Sequence, residues 1–88
     1  MKYTEEERRC IRIVAKWFCE NKRVVHRAEG IKEFGVDDDR FEVLIGIMKR
    51  DGIVENVAGV MGKNGHAVMF TPTAYAEELA RGFDGKEA

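Results

Sequence analysis

The sequence is poor in the residues that form metal sites, disulfide frameworks and membrane spans. Its 88 residues include two Cys, two His and one Pro, and no apolar run approaches the ~18 residues of a membrane helix. Cys10 and Cys19 are nine residues apart in one predicted helix, so they lie on opposite faces and cannot pair with each other. His26 and His66 are far apart and neither has an adjacent Cys. The sequence therefore predicts no metal site, no disulfide and no membrane partner.

The charges are nearly balanced but unevenly distributed. A formal net charge of −1 argues against indiscriminate nucleic-acid binding, for which a basic domain is expected. Residues 1–27 carry eight Lys or Arg and four Glu, whereas residues 28–70 carry five Lys or Arg and eight Asp or Glu. Because no catalytic arrangement of side chains is recognisable and the N-terminal segment lacks an apolar signal core, we expect a cytoplasmic protein without enzymatic activity or a cofactor.

Two helices are predicted before residue 35. Thr4 and Glu7 form a capping box, and an apolar stripe continues the first helix to about residue 21. The stripe consists of Cys10, Ile11, Val14, Trp17 and Phe18. A second, weaker helix is predicted at 26–34, where Gly30 lowers the helix propensity. Its inward side is expected to consist of Ala28, Ile31 and Phe34.

The central stretch, residues 36–54, has a marked helix start, an apolar stripe and a marked stop. The acidic run 37–39 provides an N-cap and a negative first turn, which the helix dipole favours. Lys49 and Arg50 occupy the last turn, and Gly52 follows as a left-handed stop. The buried stripe has i, i+3, i+4, i+7 spacing and consists of Phe41, Leu44, Ile45 and Met48.

The remainder of the chain predicts a β-hairpin and a last helix. Two strands at 53–60 and 66–70 are joined at Asn64-Gly65, the strongest turn signal in the sequence. Thr71 and Pro72 are expected to open the last helix as N-cap and first helical residue. The residues predicted to pack this helix on the core are Tyr75, Leu79 and Phe83. Together the elements indicate one α+β domain spanning 1–88, with an ordered core at 4–83 and a frayed end at 84–88.

Three segments resemble known proteins: Phe34-Gly35-Val36 at the helix turn, LIGIMKRDGI at the end of the third helix, and Phe70-Thr71-Pro72 after the hairpin. They are similar to winged-helix DNA-binding domains of bacterial and archaeal transcription regulators, and also to small YjcQ-like winged-helix proteins. The resemblance implies a three-helix helix-turn-helix core, a β-hairpin wing and a C-terminal helix. It also implies a short strand near residues 22–25 that joins the hairpin sheet.

The resemblance further implies a regulator of transcription that contacts double-stranded DNA through the third helix and the wing. Such a regulator could act as a homodimer. Arg40 and Arg50 would then serve the third helix as base or phosphate contacts. Lys63 and Asn64 would serve the wing, and Arg23 and Arg27 would contact the DNA backbone. The residues predicted to bind DNA are therefore Arg23, Arg27, Arg40, Arg50, Lys63 and Asn64.

An alternative function follows from the outer face of the third helix. Val43, Gly46 and Ile47 form an apolar strip there, which suits helix–helix contact because Gly allows a partner to approach closely. The acidic run 37–39 would also meet DNA phosphates with like charge. The sequence therefore leaves open a winged helix that mediates protein–protein contact or dimerisation without DNA.

Overall fold

The computed structural model describes residues 3–59 and 67–87, with side chains for 3–58 and 67–83. The described residues form four helices and a three-stranded antiparallel sheet, which confirms the predicted α+β class. The elements in chain order are α1 (Glu5–Cys19), β1 (Val25–His26), α2 (Arg27–Phe34), α3 (Asp38–Arg50), β2 (Val54–Gly59), β3 (Ala67–Pro72) and α4 (Ala74–Glu87). The last helix thus extends past residue 83, where the expected ordered core ends.

Helix α1 begins with the predicted capping box. The Thr4 side chain accepts from the Glu7 backbone N–H, and the Glu7 carboxylate accepts from the Thr4 backbone N–H. The helix ends at Cys19, two residues earlier than expected, and Asn21 then takes a left-handed φ of 62°. Phe18 was wrongly assigned to the buried stripe, because its position at the end of the helix leaves it 37% exposed.

Helix α2 packs through a glycine. Gly30 is buried and a Cβ at its position would lie 2.7 Å from Cε1 of Phe41, so only glycine allows α2 this close to α3. The prediction that Ala28 points inward is wrong, since Ala28 is exposed and Ile31 is only half-buried. Gly35 ends the helix in the left-handed conformation, φ 70°, as the turn signal predicts.

The sheet has the strand order β1-β3-β2. The short strand β1 pairs Val25 with Phe70, and β2 pairs Glu55 with Thr71. The register of β2 shifts between Glu55 and Ala58, where Asn56 adopts a φ of 52°. This irregularity interrupts the alternation of side chains between the two faces that a regular strand has.

The predicted start of the last helix is wrong. Thr71 and Pro72 are the end of β3, where Pro72 pairs with Val54, and α4 begins at Ala74. Pro at the end of a strand removes no ladder bond from its interior, so strand and proline are compatible there. Thr73 lies between strand and helix, and its hydroxyl donates to the carbonyl of Ile53 at 2.8 Å.

The core is an aromatic cluster between the helices and the sheet. Trp17, Phe34, Phe41 and Phe70 come from four different elements, and neighbouring ring centroids lie 5.8–6.2 Å apart. Helix α4 covers α1 with Ala76, Ala80 and Phe83, whereas Tyr75, which was expected to dock it, is 42% exposed. No helix among the described residues is long and apolar enough to cross a membrane.

Candidate interaction surface on the third helix

Helix α3 presents one face to the core and the opposite face to solvent. Asp37 caps its start by accepting from the backbone N–H of Arg40 at 2.8 Å. The predicted stripe is confirmed, since the buried residues of α3 are Phe41, Leu44, Ile45 and Met48. Gly52, with a φ of 78°, follows the helix as predicted. The opposite face is therefore fixed by local sequence alone.

We define the α3 strip as Asp39, Val43, Gly46 and Arg50, which are all exposed. Val43 keeps 48% of its surface in contact with solvent. A Cβ at Gly46 would meet no atom of the described residues within 4 Å. Ile47, which the sequence placed beside them, is half-buried and packs against the core, so it borders the strip and is not at its centre.

Charge is separated along α3. Asp37, Asp38 and Asp39 lie at its N-terminal end, and Lys49 and Arg50 lie in its last turn. The middle of the strip, Val43 and Gly46, is uncharged. This arrangement is favourable within the helix because it complements the dipole. It also leaves an exposed surface that is acidic at one end, apolar in the middle and basic at the other end.

Arg40 faces helix α1 and lies outside the strip. Its Nε donates to Glu6 Oε1 at 2.8 Å, and its Nη2 donates to the same oxygen. These hydrogen bonds are the main reason why the pKa of Arg40 is raised above its ordinary value. A contact with DNA would have to compete with this ion pair.

Arg27 is mostly enclosed, with 18% of its side chain exposed. Its Nη1 donates to the Glu42 carboxylate and, at 2.8 Å, to the Ala67 carbonyl. Its guanidinium lies 5.2 Å from the centroid of the Phe41 ring, a cation–π distance. Glu42 also accepts from the Ala67 backbone N–H at 3.1 Å. Arg27 therefore ties α2 to α3 and β3.

Arg50 and Arg23 are more accessible. The Arg50 side chain is 70% exposed, and its Nε donates to Asp51 Oδ1 at 2.8 Å; this bond is the main reason why the pKa of Arg50 is raised. Arg23 is exposed beside an open groove. The groove is lined by Phe18, Asn21, Lys22, Arg23, Glu55, Thr71 and Pro72. Lys63 and Asn64, the predicted wing contacts, lie outside the described residues.

Of the four predicted DNA contacts that the structure describes, Arg27 and Arg40 are paired with acidic side chains of other elements, and Arg23 and Arg50 are exposed. Sequence reasoning missed that Arg27 and Arg40 have acidic partners on other elements, because those partners are 15 and 34 residues away. Nothing in the local pattern distinguishes such an arginine from a free one. The groove beside Arg23 was missed for the same reason, since its walls come from α1, β2 and β3.

The chain was compared with protein-family models, with curated proteins and with solved structures, and none of them matches. Within the described residues there is also no group of three His, Cys, Asp or Glu side chains placed to hold a metal ion.

Proposed function

We propose that the chain is a winged helix that acts as a protein-interaction module, with the α3 strip as its contact surface. Two features support the winged helix: β1 stands between α1 and α2, and the strand order is β1-β3-β2. In this arrangement α2 and α3 form the helix-turn-helix pair, and the β2–β3 hairpin is the wing. Fold alone does not define a function, so the interaction role rests on the strip.

The observation that carries the interaction role is the exposed apolar centre of α3. Val43 and Gly46 occupy the positions where a reader of the major groove would carry hydrogen-bonding side chains. Covering this centre with a partner helix lowers the free energy of the complex, because apolar surface is removed from water. Arg27 and Arg40, which would otherwise supply cations for phosphate, are already bound to Glu42 and Glu6.

DNA binding is the second candidate, and a specific observation favours it. Arg23, Lys49 and Arg50 are exposed cations near the second and third helices, and Lys63 and Asn64 would add contacts from the wing. A regulator of transcription of this kind would use these residues mainly on phosphates, since Val43 could touch only thymine methyl groups.

Salt dependence separates the two candidates. A fluorescent random duplex is titrated with the chain at about 50 mM and about 200 mM salt, because phosphate contacts make affinity fall steeply over this range. The interaction role predicts no measurable binding to this duplex at either salt concentration. The opposite result is an affinity whose logarithm falls steeply with the logarithm of salt concentration, as the release of several ions requires. If that affinity also weakens in Arg23→Ala and Arg50→Ala but not in Val43→Ser, the interaction role is overturned in favour of DNA binding.

A further inference from the structure

We propose that the partner of the α3 strip is a second copy of this chain, bound through an antiparallel α3–α3 contact about a two-fold axis. This inference rests on the proposed interaction role and names its partner. Two observations carry it: the spacing of opposite charges along the strip, and a glycine in the middle of α3 that no contact within the described residues requires.

The strip is symmetric in position and antisymmetric in charge. Its residues occur at intervals of four, three and four, so they fall within roughly 60° of one another around the helix. Asp39 and Arg50 then lie about 8 Å on either side of the midpoint between Val43 and Gly46, at a rise of roughly 1.5 Å per residue. Reversing the direction of the helix therefore exchanges an acid for a base at each end.

A two-fold axis at that midpoint produces complementary contacts. It places Asp39 opposite the partner's Arg50, and Val43 opposite the partner's Gly46, each of them twice because the interface is isologous. A parallel arrangement would instead oppose Asp39 to Asp39 and Arg50 to Arg50, which costs electrostatic energy. The charge pattern therefore selects the antiparallel orientation.

The residues that flank the strip on one side agree with this axis. Glu42 and Lys49 are seven residues apart on the same side of the strip. The two-fold operation brings the partner's Lys49 alongside Glu42, with an axial offset of about 3 Å by helix geometry. Glu42 keeps its ion pair with Arg27, so this proximity agrees with the antiparallel orientation but does not carry it. Lys49 is exposed and makes no ion pair within the described part of the chain, so it is accessible for this contact.

Gly46 supports the contact independently. A glycine inside a helix is less favourable than alanine, yet Gly46 has no positive φ and an added Cβ would touch none of the described residues. Gly30, by contrast, is required by its contact with Phe41. The absence of a side chain at Gly46 would allow the backbone of a second α3 to approach closely and would leave room for Val43 of the second copy.

The first test is charge reversal followed by sedimentation equilibrium at concentrations from about 1 µM to about 1 mM. A contact of one helix per subunit is small, so we expect a parent dimer with a Kd of roughly 1–100 µM. Asp39→Arg and Arg50→Asp should each raise the Kd at least about tenfold through like charges at both ends. The double variant D39R/R50D restores complementarity and should recover most of the affinity.

The second test uses two helical glycines as a matched pair. Gly46→Gln should abolish dimerisation while leaving the monomer folded by circular dichroism, because the side chain enters open space. Gly82→Gln is the control, since Gly82 is also exposed in a helix and open among the described residues, but it lies in α4. Equal dimerisation of the parent and Gly46→Gln would overturn the proposal.

Failure of this inference differs from failure of the proposed function. The second copy is excluded as the partner if the parent protein is monomeric at about 1 mM, or if the D39R/R50D variant dimerises no more tightly than the two single variants. Neither result produces the salt-dependent duplex binding that would overturn the interaction role itself.

Discussion

Two helical glycines have opposite surroundings, and their substitution separates packing from helix propensity. Gly30 is buried, and a Cβ there would also lie 3.3 Å from Cε1 of Phe70. The rings it meets cannot move away easily, because Phe41 and Phe70 are themselves almost fully buried. Gly46 faces open space among the described residues.

We therefore predict that Gly30→Ala lowers the free energy of unfolding by about 1–3 kcal/mol, since overpacking outweighs the better helix propensity. Gly46→Ala is the control and should raise it by up to about 1 kcal/mol. Urea unfolding at a low, monomeric concentration measures both. A Gly30→Ala variant as stable as the parent would show that α2 and α3 separate without cost.

At this scale the sequence identifies a residue type but not its neighbours. Gly30 was interpreted as a weak point of a helix, which is what local propensity says. Its contact with Phe41 and Phe70 comes from residues 11 and 40 positions away, and no local pattern encodes it. The same limit explains why Arg27 was predicted to contact DNA, since the local sequence does not reveal the partners that enclose it.

Among the elements, α2, α3 and β3 are joined by one ion pair and its hydrogen bonds. Arg27 and Glu42 both contact the backbone of Ala67, at its carbonyl and its N–H respectively. Removing one partner leaves the other partly buried without its opposite charge, which costs more than the pair contributes.

We predict that Glu42→Gln lowers the free energy of unfolding by about 1–3 kcal/mol. In a cycle with Arg27→Met, the double variant should lose less than the sum of the two single losses by about 0.5 kcal/mol or more. The pair Glu77–Arg81 is the control because the Arg81 side chain is 72% exposed, and Arg81→Gln should cost about 0.5 kcal/mol or less. Additive losses in the Arg27–Glu42 cycle would contradict this role.

Element starts and stops were predictable where the signal is local. The capping box of α1, the Asp37 cap of α3 and the left-handed Gly35 and Gly52 all depend on a few adjacent residues. The start of α4 was not predictable in this way, because Thr71-Pro72 has a good helix-start sequence but pairs with β2. Tertiary pairing decided between two locally acceptable states.

For the whole molecule, Tyr3 links the beginning of the chain to two later helices. Its ring packs edge-on against Phe83 of α4, with centroids 6.0 Å apart, and its hydroxyl donates to Asp51 at 2.8 Å. Burial, and then the bond to Asp51, raise the pKa of Tyr3 from 10.0 to about 12. The folded state therefore keeps this proton at pH values where the unfolded chain has lost it.

This difference makes stability depend on alkaline pH. The contribution of Tyr3 is fully present below pH 10.0 and is lost as the pH rises towards about 12. Tyr3→Phe should be less stable than the parent near neutral pH, and the gap should narrow across that window. Urea unfolding of both proteins at a series of alkaline pH values measures it. Burial also raises the pKa of Cys10 to about 11, but Cys10 is present in both proteins and cancels. A gap that stays constant or widens with pH would contradict the assignment.

The buried face of α3 could be predicted because it depends on periodicity within one segment, whereas the short strand before α2 was expected only from the winged-helix resemblance. The arrangement of charges on the folded surface could not be predicted, since ion pairs such as Arg40–Glu6 join segments that only the assembled core brings together. The DNA surface stays a prediction, and two of its described residues, Arg27 and Arg40, have acidic partners that the sequence did not indicate.

The irregular sheet also affects how the molecule behaves when concentrated. A long, regular outer strand is a template for cross-strand aggregation, but β1 offers only two residues and β2 is interrupted near Asn56. Neither outer strand, over its described length, gives an incoming chain an uninterrupted row of backbone donors and acceptors. Fibril-like growth from the described edges of the sheet is thereby discouraged.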